Sequence, residues 1–85
     1  MAKEIISCEM SFIPIASQNY IEDVENVLKV ISQSGLEFQT NSFSTILTGT
    51  KEEILALIGE IIEKMYDNSK FTIVVKLSNI CGCNR

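Results

Sequence analysis

The stretch FSTILTGTKEEILALIGEIIEKM, residues 43–65, changes its hydrophobic period halfway along, and that change decides the fold. Phe43, Thr45 and Leu47 alternate with Ser44, Ile46 and Thr48, the two-residue period of a strand. From Ile54 the apolar positions Leu57, Ile58, Ile61, Ile62 and Met65 recur at spacings of three and four, the stripe of an amphipathic helix. Between them Thr50 and Glu53 stand at capping-box spacing, where the threonine hydroxyl and the glutamate carboxylate each accept a backbone N–H left over at a helix start. A strand therefore runs straight into a helix. Upstream, Leu36, Phe38 and Thr40 have strand character, and the turn-prone Asn41-Ser42 makes a hairpin of this stretch and the next strand. Its turn could equally slip by a residue or two, because residues 38–50 are polar on both sides and set the register weakly. Downstream, Asp67-Asn68-Ser69 breaks the helix. Phe71, Ile73, Val75 and Leu77 then alternate with Thr72, Val74, Lys76 and Ser78 as a last strand.

The first half begins the same way. Cys8 to Ile15 sets Cys8, Met10 and Phe12 on one side and Glu9, Ser11 and Ile13 on the other, and Pro14 closes the strand. Asn19 with Glu22 reads as a second capping box, starting a helix at Tyr20 with Ile21, Val24, Leu28 and Ile31 as its stripe and Val27 beside them. Gly35 stands where a left-handed cap ends it, near Ser34. Strand, helix, strand, strand, helix, strand with right-handed crossovers predicts an α+β ferredoxin-like βαββαβ sandwich, an antiparallel sheet with two helices on one face. The other face should carry Glu9, Ser11, Ile13, Ser44, Ile46, Thr48, Thr72, Val74, Lys76 and Ser78, a mixture that a ligand or a second subunit is expected to cover. One domain spans 1–85, with 1–6 and 82–85 expected to be flexible and the tail from Asn79 irregular.

Composition removes several classes of function. Seven Lys plus Arg against 11 Asp plus Glu give a net charge of -4, which repels a phosphate backbone, so no nucleic-acid partner is expected. With no histidine there is no Ser-His-Asp or Cys-His nucleophile, no His-ligated zinc and no ordinary general base near neutral pH, and the chain is not expected to be an enzyme. Charged residues interrupt every apolar segment before about 18 residues, so no membrane insertion is expected. The N-terminus lacks the apolar run of a secretory signal, and a cytoplasmic location with reduced thiols at Cys8, Cys81 and Cys83 follows as the expectation. Cys81-Gly82-Cys83 raises the question of a soft metal ion. Ferredoxin-like copper carriers place their Cys-x-x-Cys after the first strand, where this chain has Ala16-Ser17-Gln18-Asn19, so neither a metal nor a cofactor is expected. Glu22, Asp23, Glu52 and Glu53 fall in first turns, where they favour the positive end of a helix, and Glu60 and Glu63 fall on the solvent side.

Three segments carry a resemblance to a known family. Cys8-Glu9-Met10-Ser11-Phe12-Ile13-Pro14-Ile15, then Phe43-Ser44-Thr45-Ile46-Leu47-Thr48-Gly49, then Leu77-Ser78-Asn79-Ile80-Cys81 are similar, in this order, to the strand motifs of the YkoF-like thiamine-binding proteins. That resemblance covers Cys8 to about Cys83. It implies a non-catalytic small-molecule binding protein for thiamine or its hydroxymethylpyrimidine moiety, associated with thiamine uptake or salvage. Some members carry two such repeats in one chain. A single copy implies a homo-oligomer, a dimer or a tetramer.

An aminopyrimidine has ring nitrogens that accept and an exocyclic amine that donates, so short hydroxyls and a carboxylate suit it. The candidate ligand-binding residues are Ser11, Ser44, Thr45 and Ser78, with Glu9 as acceptor and Phe43 as aromatic wall. Each also has a plainer reading: the serines as ordinary strand hydroxyls, Glu9 as a cross-strand partner of Lys76, and Phe12, the other possible wall, as core. Two other functions remain open at this point, a regulatory or assembly module whose open face only binds further copies, and a thiol-based metal or redox carrier.

Overall fold

The computed structural model describes residues 4–80. Six elements follow in the expected order: β1 (Ile5–Pro14), α1 (Tyr20–Gln33), β2 (Glu37–Thr40), β3 (Thr45–Thr50), α2 (Lys51–Met65) and β4 (Phe71–Ser78). The sheet order is β2-β3-β1-β4 with every neighbouring pair antiparallel, and both helices lie on one face: the ferredoxin-like sandwich. β1 starts at Ile5 rather than Cys8, because Ile5 and Ile6 pair with Thr50 and Gly49. Ile15 donates its N–H to the Lys70 carbonyl at 2.8 Å but lies past the strand's end.

Period-two alternation places Cys8 and Met10 of β1 and Leu47 of β3 on the helix side, where they are buried with Val27, Val30 and Ile31 of α1 and Ile54, Leu57, Ile61 and Met65 of α2. Phe12 and Phe71 extend this core at the end of the β1–β4 ladder, ring centroids 5.1 Å apart. The expected α1 stripe is rotated. Ile21 is 61% exposed, whereas Val30 is buried, and so is Asp23 at 7% exposure. The helix faces the sheet along Asp23, Val27, Val30 and Ile31, with Val24 and Leu28 half-buried beside them.

The two helix starts differ. At α2 the capping box is complete: Glu53 N–H donates to Thr50 Oγ1 at 3.2 Å, and Thr50 N–H donates to Glu53 Oε1 at 2.9 Å. Gly49 leaves room next to it: a Cβ there would lie 2.9 Å from Leu36 Cδ2 and 3.0 Å from that Glu53 oxygen, and the ends of both side chains would have to shift. At α1 the expected capping box between Asn19 and Glu22 does not form, and Asn19 makes no side-chain cap. Ser17 takes its place in organising the entry, accepting from Asn19 N–H at 3.1 Å and donating to Asp23 Oδ2 at 2.8 Å. Gly35, at φ +82°, takes the left-handed position after the helix as expected.

Candidate functional site

The helix-free face is organised by its cross-strand rows. One row sets Gln39, Ile46, Glu9 and Lys76 side by side, from β2 across to β4. Glu9 uses both carboxylate oxygens: Oε2 accepts from Ser44 Oγ at 3.0 Å, and Oε1 lies 3.3 Å from Lys76 Nζ. The Ser44 hydrogen bond, and after it Lys76 by hydrogen bond and by charge, hold the Glu9 carboxyl below its ordinary 4.5, against a small opposing effect of desolvation. Next to this row, Ser11 Oγ donates to the Phe43 carbonyl at 3.2 Å. Ile13, Ile46 and Val74 are exposed on the same face.

The hairpin turn delivers Ser44 to this cluster. Asn41 Oδ1 accepts the N–H groups of Phe43 at 2.7 Å and Ser44 at 3.0 Å, and Asn41 N–H donates to the Ser44 carbonyl at 3.0 Å. The turn-prone residue of the sequence is thus the one that aims the site, through its side-chain amide. Phe43, expected in the strand, lies in this turn with its side chain 87% exposed. Its backbone is pinned at N–H and carbonyl while its ring is free of the core.

Thr45 belongs to the opposite face. It is 6% exposed, and its hydroxyl lies 3.1 Å from that of Thr40. Both threonines line a cleft of about 160 Å³ between α1 and the hairpin, walled by Met10, Phe12, Val24, Val27, Leu28 and Ile31, with residues 41–44 as its rim. Ser78 lies two positions along β4 from Lys76, opposite Ser7, and closes on its own bend by donating to the Ile80 carbonyl at 3.3 Å and accepting Ile80 N–H at 3.0 Å. The fold therefore brings Glu9, Ser11, Ser44 and the Phe43 backbone together, sets Thr45 behind them, and leaves Ser78 apart. Sequence reading did not single out Asn41, which holds the turn at Ser44, or Thr40, which meets Thr45, and counted Lys76 only as a pairing partner. The two-residue offset of Phe38 and Thr40, which places them on one face, was the available signal for Thr40.

The hydroxyl hydrogens of Ser11 and Ser44 are committed within the protein, so both oxygens are left as acceptors. Donors come from Lys76, whose ammonium is largely exposed and keeps two hydrogens beyond its bond to Glu9. The cluster can thus accept from an amine and donate to a ring nitrogen, with the roles of serine and lysine reversed from the sequence expectation. A Glu9 pKa lowered on folding stabilises the folded state above the unfolded-state pKa, and that contribution is lost as pH falls through the folded one. Side-chain NMR titration should find Glu9 below 4.5 in the parent and moved up in Ser44→Ala, whose largest supporting hydrogen bond is gone. An unchanged midpoint would show that the Ser44 contact is not made in solution.

Among the described residues no three or more Cys, Asp and Glu side chains gather as metal ligands, and Cys81-Gly82-Cys83 lies outside the described residues. Cys8 is buried, which pushes its thiol pKa up and away from reactivity. No described helix is long and apolar enough to cross a membrane.

Solved structures share this architecture. A candidate thiamine biosynthesis/salvage protein from Thermotoga maritima superimposes with a TM-score of 0.78 at 17% identity, over 87% of this chain and 82% of that one. A domain of unknown function from Bacillus cereus gives 0.77 at 17% identity, over 87% and 74%. A Streptococcus pneumoniae protein gives 0.80 at 17%, over 87% and 84%. At such identity the likeness is one of fold. No curated protein sequence matches the chain. The family model described as thiamine-binding protein matches residues 8–80, nearly the whole ferredoxin-like unit and all of the Glu9–Ser44 cluster, and the chain belongs to that family.

Proposed function

We propose that this chain is a non-catalytic binding protein for thiamine or its hydroxymethylpyrimidine moiety, acting in the cytoplasm in thiamine uptake or salvage as a homodimer or homotetramer. The observation that carries the reading is the Glu9–Ser44–Lys76 cluster on the open face of a chain of this family. Its acceptors suit an exocyclic amine, the lysine suits a ring nitrogen, and the net charge of -4 favours a cationic thiazolium. Phe43, at the rim of the cleft beside Ser44, is placed to lay its ring against a flat ligand.

Size supports a shared site. The cleft of about 160 Å³ is well under the roughly 300 to 1,000 Å³ of pockets that enclose drug-sized ligands. That cleft opens on the helix side of the sheet, so a thiamine held by the cluster on the open face needs a wall from elsewhere. Ile13, Ile46 and Val74 leave an apolar open face that a second copy would cover. Light scattering at micromolar concentration should return a multiple of 9.5 kDa, and the mass of a single chain would overturn the assembly.

Calorimetry with thiamine, its phosphates and hydroxymethylpyrimidine tests the ligand. Saturable heat with thiamine or the pyrimidine, and recovery of the ligand unaltered, is the expected result. Absence of heat with all of them in a correctly assembled protein would favour the module that only self-associates.

A further inference from the structure

A further cleft of about 300 Å³ opens where the β1–α1 loop meets the α2–β4 turn, and the thiamine reading makes no use of it. Its floor is Asp23, a carboxylate more than nine-tenths buried. Oδ2 accepts from Ser17 Oγ at 2.8 Å, and no described residue donates to the other oxygen. A carboxylate offers about four acceptor sites, so the second oxygen keeps its capacity to accept from a donor in the cleft. Across the cleft, the Ser69 hydroxyl is shut off from solvent with no hydrogen-bond partner. A carboxylate oxygen open to a donor and a buried hydroxyl without a partner, both from residues lining one cleft, point to an occupant that supplies hydrogen bonds to them.

The chemistry of the lining selects that occupant. The N–H groups of Asn68 and Ser69 are spent on the Met65 carbonyl at 3.0 and 3.1 Å, at the negative end of α2. Asn68 Nδ2 is spent on the Lys64 carbonyl at 2.8 Å, which leaves its Oδ1 to accept. Asp23 and Asn68 therefore offer acceptors, Gln18, Asn19 and Lys70 bring donors to the same lining, and an anion would meet Asp23. A hard metal ion wants six or more oxygens, several of them charged, and there is one carboxylate here. A quaternary cation has no N–H to give the unpaired oxygen.

We infer that this cleft binds a small primary ammonium group, which donates to the unpaired Asp23 oxygen, to Asn68 Oδ1 and to Ser69 Oγ once that hydroxyl turns about χ1 into the cleft. The exposed Lys70 lines the same cleft without forming an ion pair to Asp23. Its own ammonium is the internal competitor. Amide NMR of the full chain should show saturable shifts at Ser17, Asp23 and Ser69 with methylammonium chloride. Tetramethylammonium chloride at matched ionic strength should give none. Asp23→Asn should weaken methylammonium binding at least tenfold, since a charge-assisted hydrogen bond is lost, and Ser69→Ala should weaken it several-fold. Where Asp23→Asn does not fold, Ser69→Ala decides. Shifts that fail to saturate, equal shifts with tetramethylammonium, unchanged affinity in Ser69→Ala, or saturation only in Lys70→Ala, which would make Lys70 the occupant, would each overturn the assignment.

Discussion

Leu47→Ala should lower the stability of the fold by about 2 to 5 kcal/mol, the range for deleting a large aliphatic side chain from a packed core. Leu47 is fully buried on β3, opposite Cys8 of β1 and Phe38 of β2 in the ladders. β3 is hydrogen-bonded on both sides, so its backbone cannot settle into the hole, and α2 reaches the same core with Ile54, Leu57 and Ile61. A domain of this size holds only about 5 to 15 kcal/mol in all, so the melting temperature should fall by roughly 10 to 30 °C. Ile46→Ala, one residue away on the open face, should cost the isolated protomer under about 0.5 kcal/mol. Thermal and denaturant melts of the two variants side by side read the difference. A loss below about 1 kcal/mol for Leu47→Ala would contradict the enclosed core between sheet and helices.

Ser44→Ala should reduce affinity for thiamine or hydroxymethylpyrimidine by roughly five- to a hundredfold, the equivalent of about 1 to 3 kcal/mol for an unpaired partner in a desolvated hydrogen-bonding group. In the proposed site the hydroxyl has two tasks. It donates to Glu9 Oε2, which fixes the carboxylate, and its oxygen remains to accept from a ligand amine. Stability should barely change, since Ser44 packs against no core residue of α2 and Glu9 keeps Lys76. Ser44→Thr, which retains the hydroxyl, should restore a good part of the affinity. Parental binding by Ser44→Ala, together with its loss in Cys81→Ser or Cys83→Ser, would move the site to the C-terminal tail.

The expectations that held rest on local signals of short range. Thr50 and Glu53 are three residues apart and meet whatever the rest of the chain does, so their capping box was readable. Asn19 and Glu22 have the same spacing, yet the box failed, because Ser17 reached both Asn19 N–H and the buried Asp23. That buried aspartate could not be read from a helix wheel. Val30 and Asp23 face inward because the sheet dictates how α1 is rotated about its axis, and Ile21 is turned out in consequence.

What the sequence by itself determined is the order of elements, the face each strand residue occupies and the family, since alternation and helical spacing are properties of neighbours along the chain. Only the tertiary structure decided which of those residues meet. Glu9 and Ser44 are 35 positions apart and come to 3.0 Å because β3 pairs with β1 in one register, while the Asn41 turn carries Ser44 across to that row. Thr45, adjacent in sequence, lies on the other face as the alternation predicts, whereas Phe43, expected in the strand, went into the turn. A single step along a pleated strand reverses the side, and no local rule fixes where the pleat gives way to the turn.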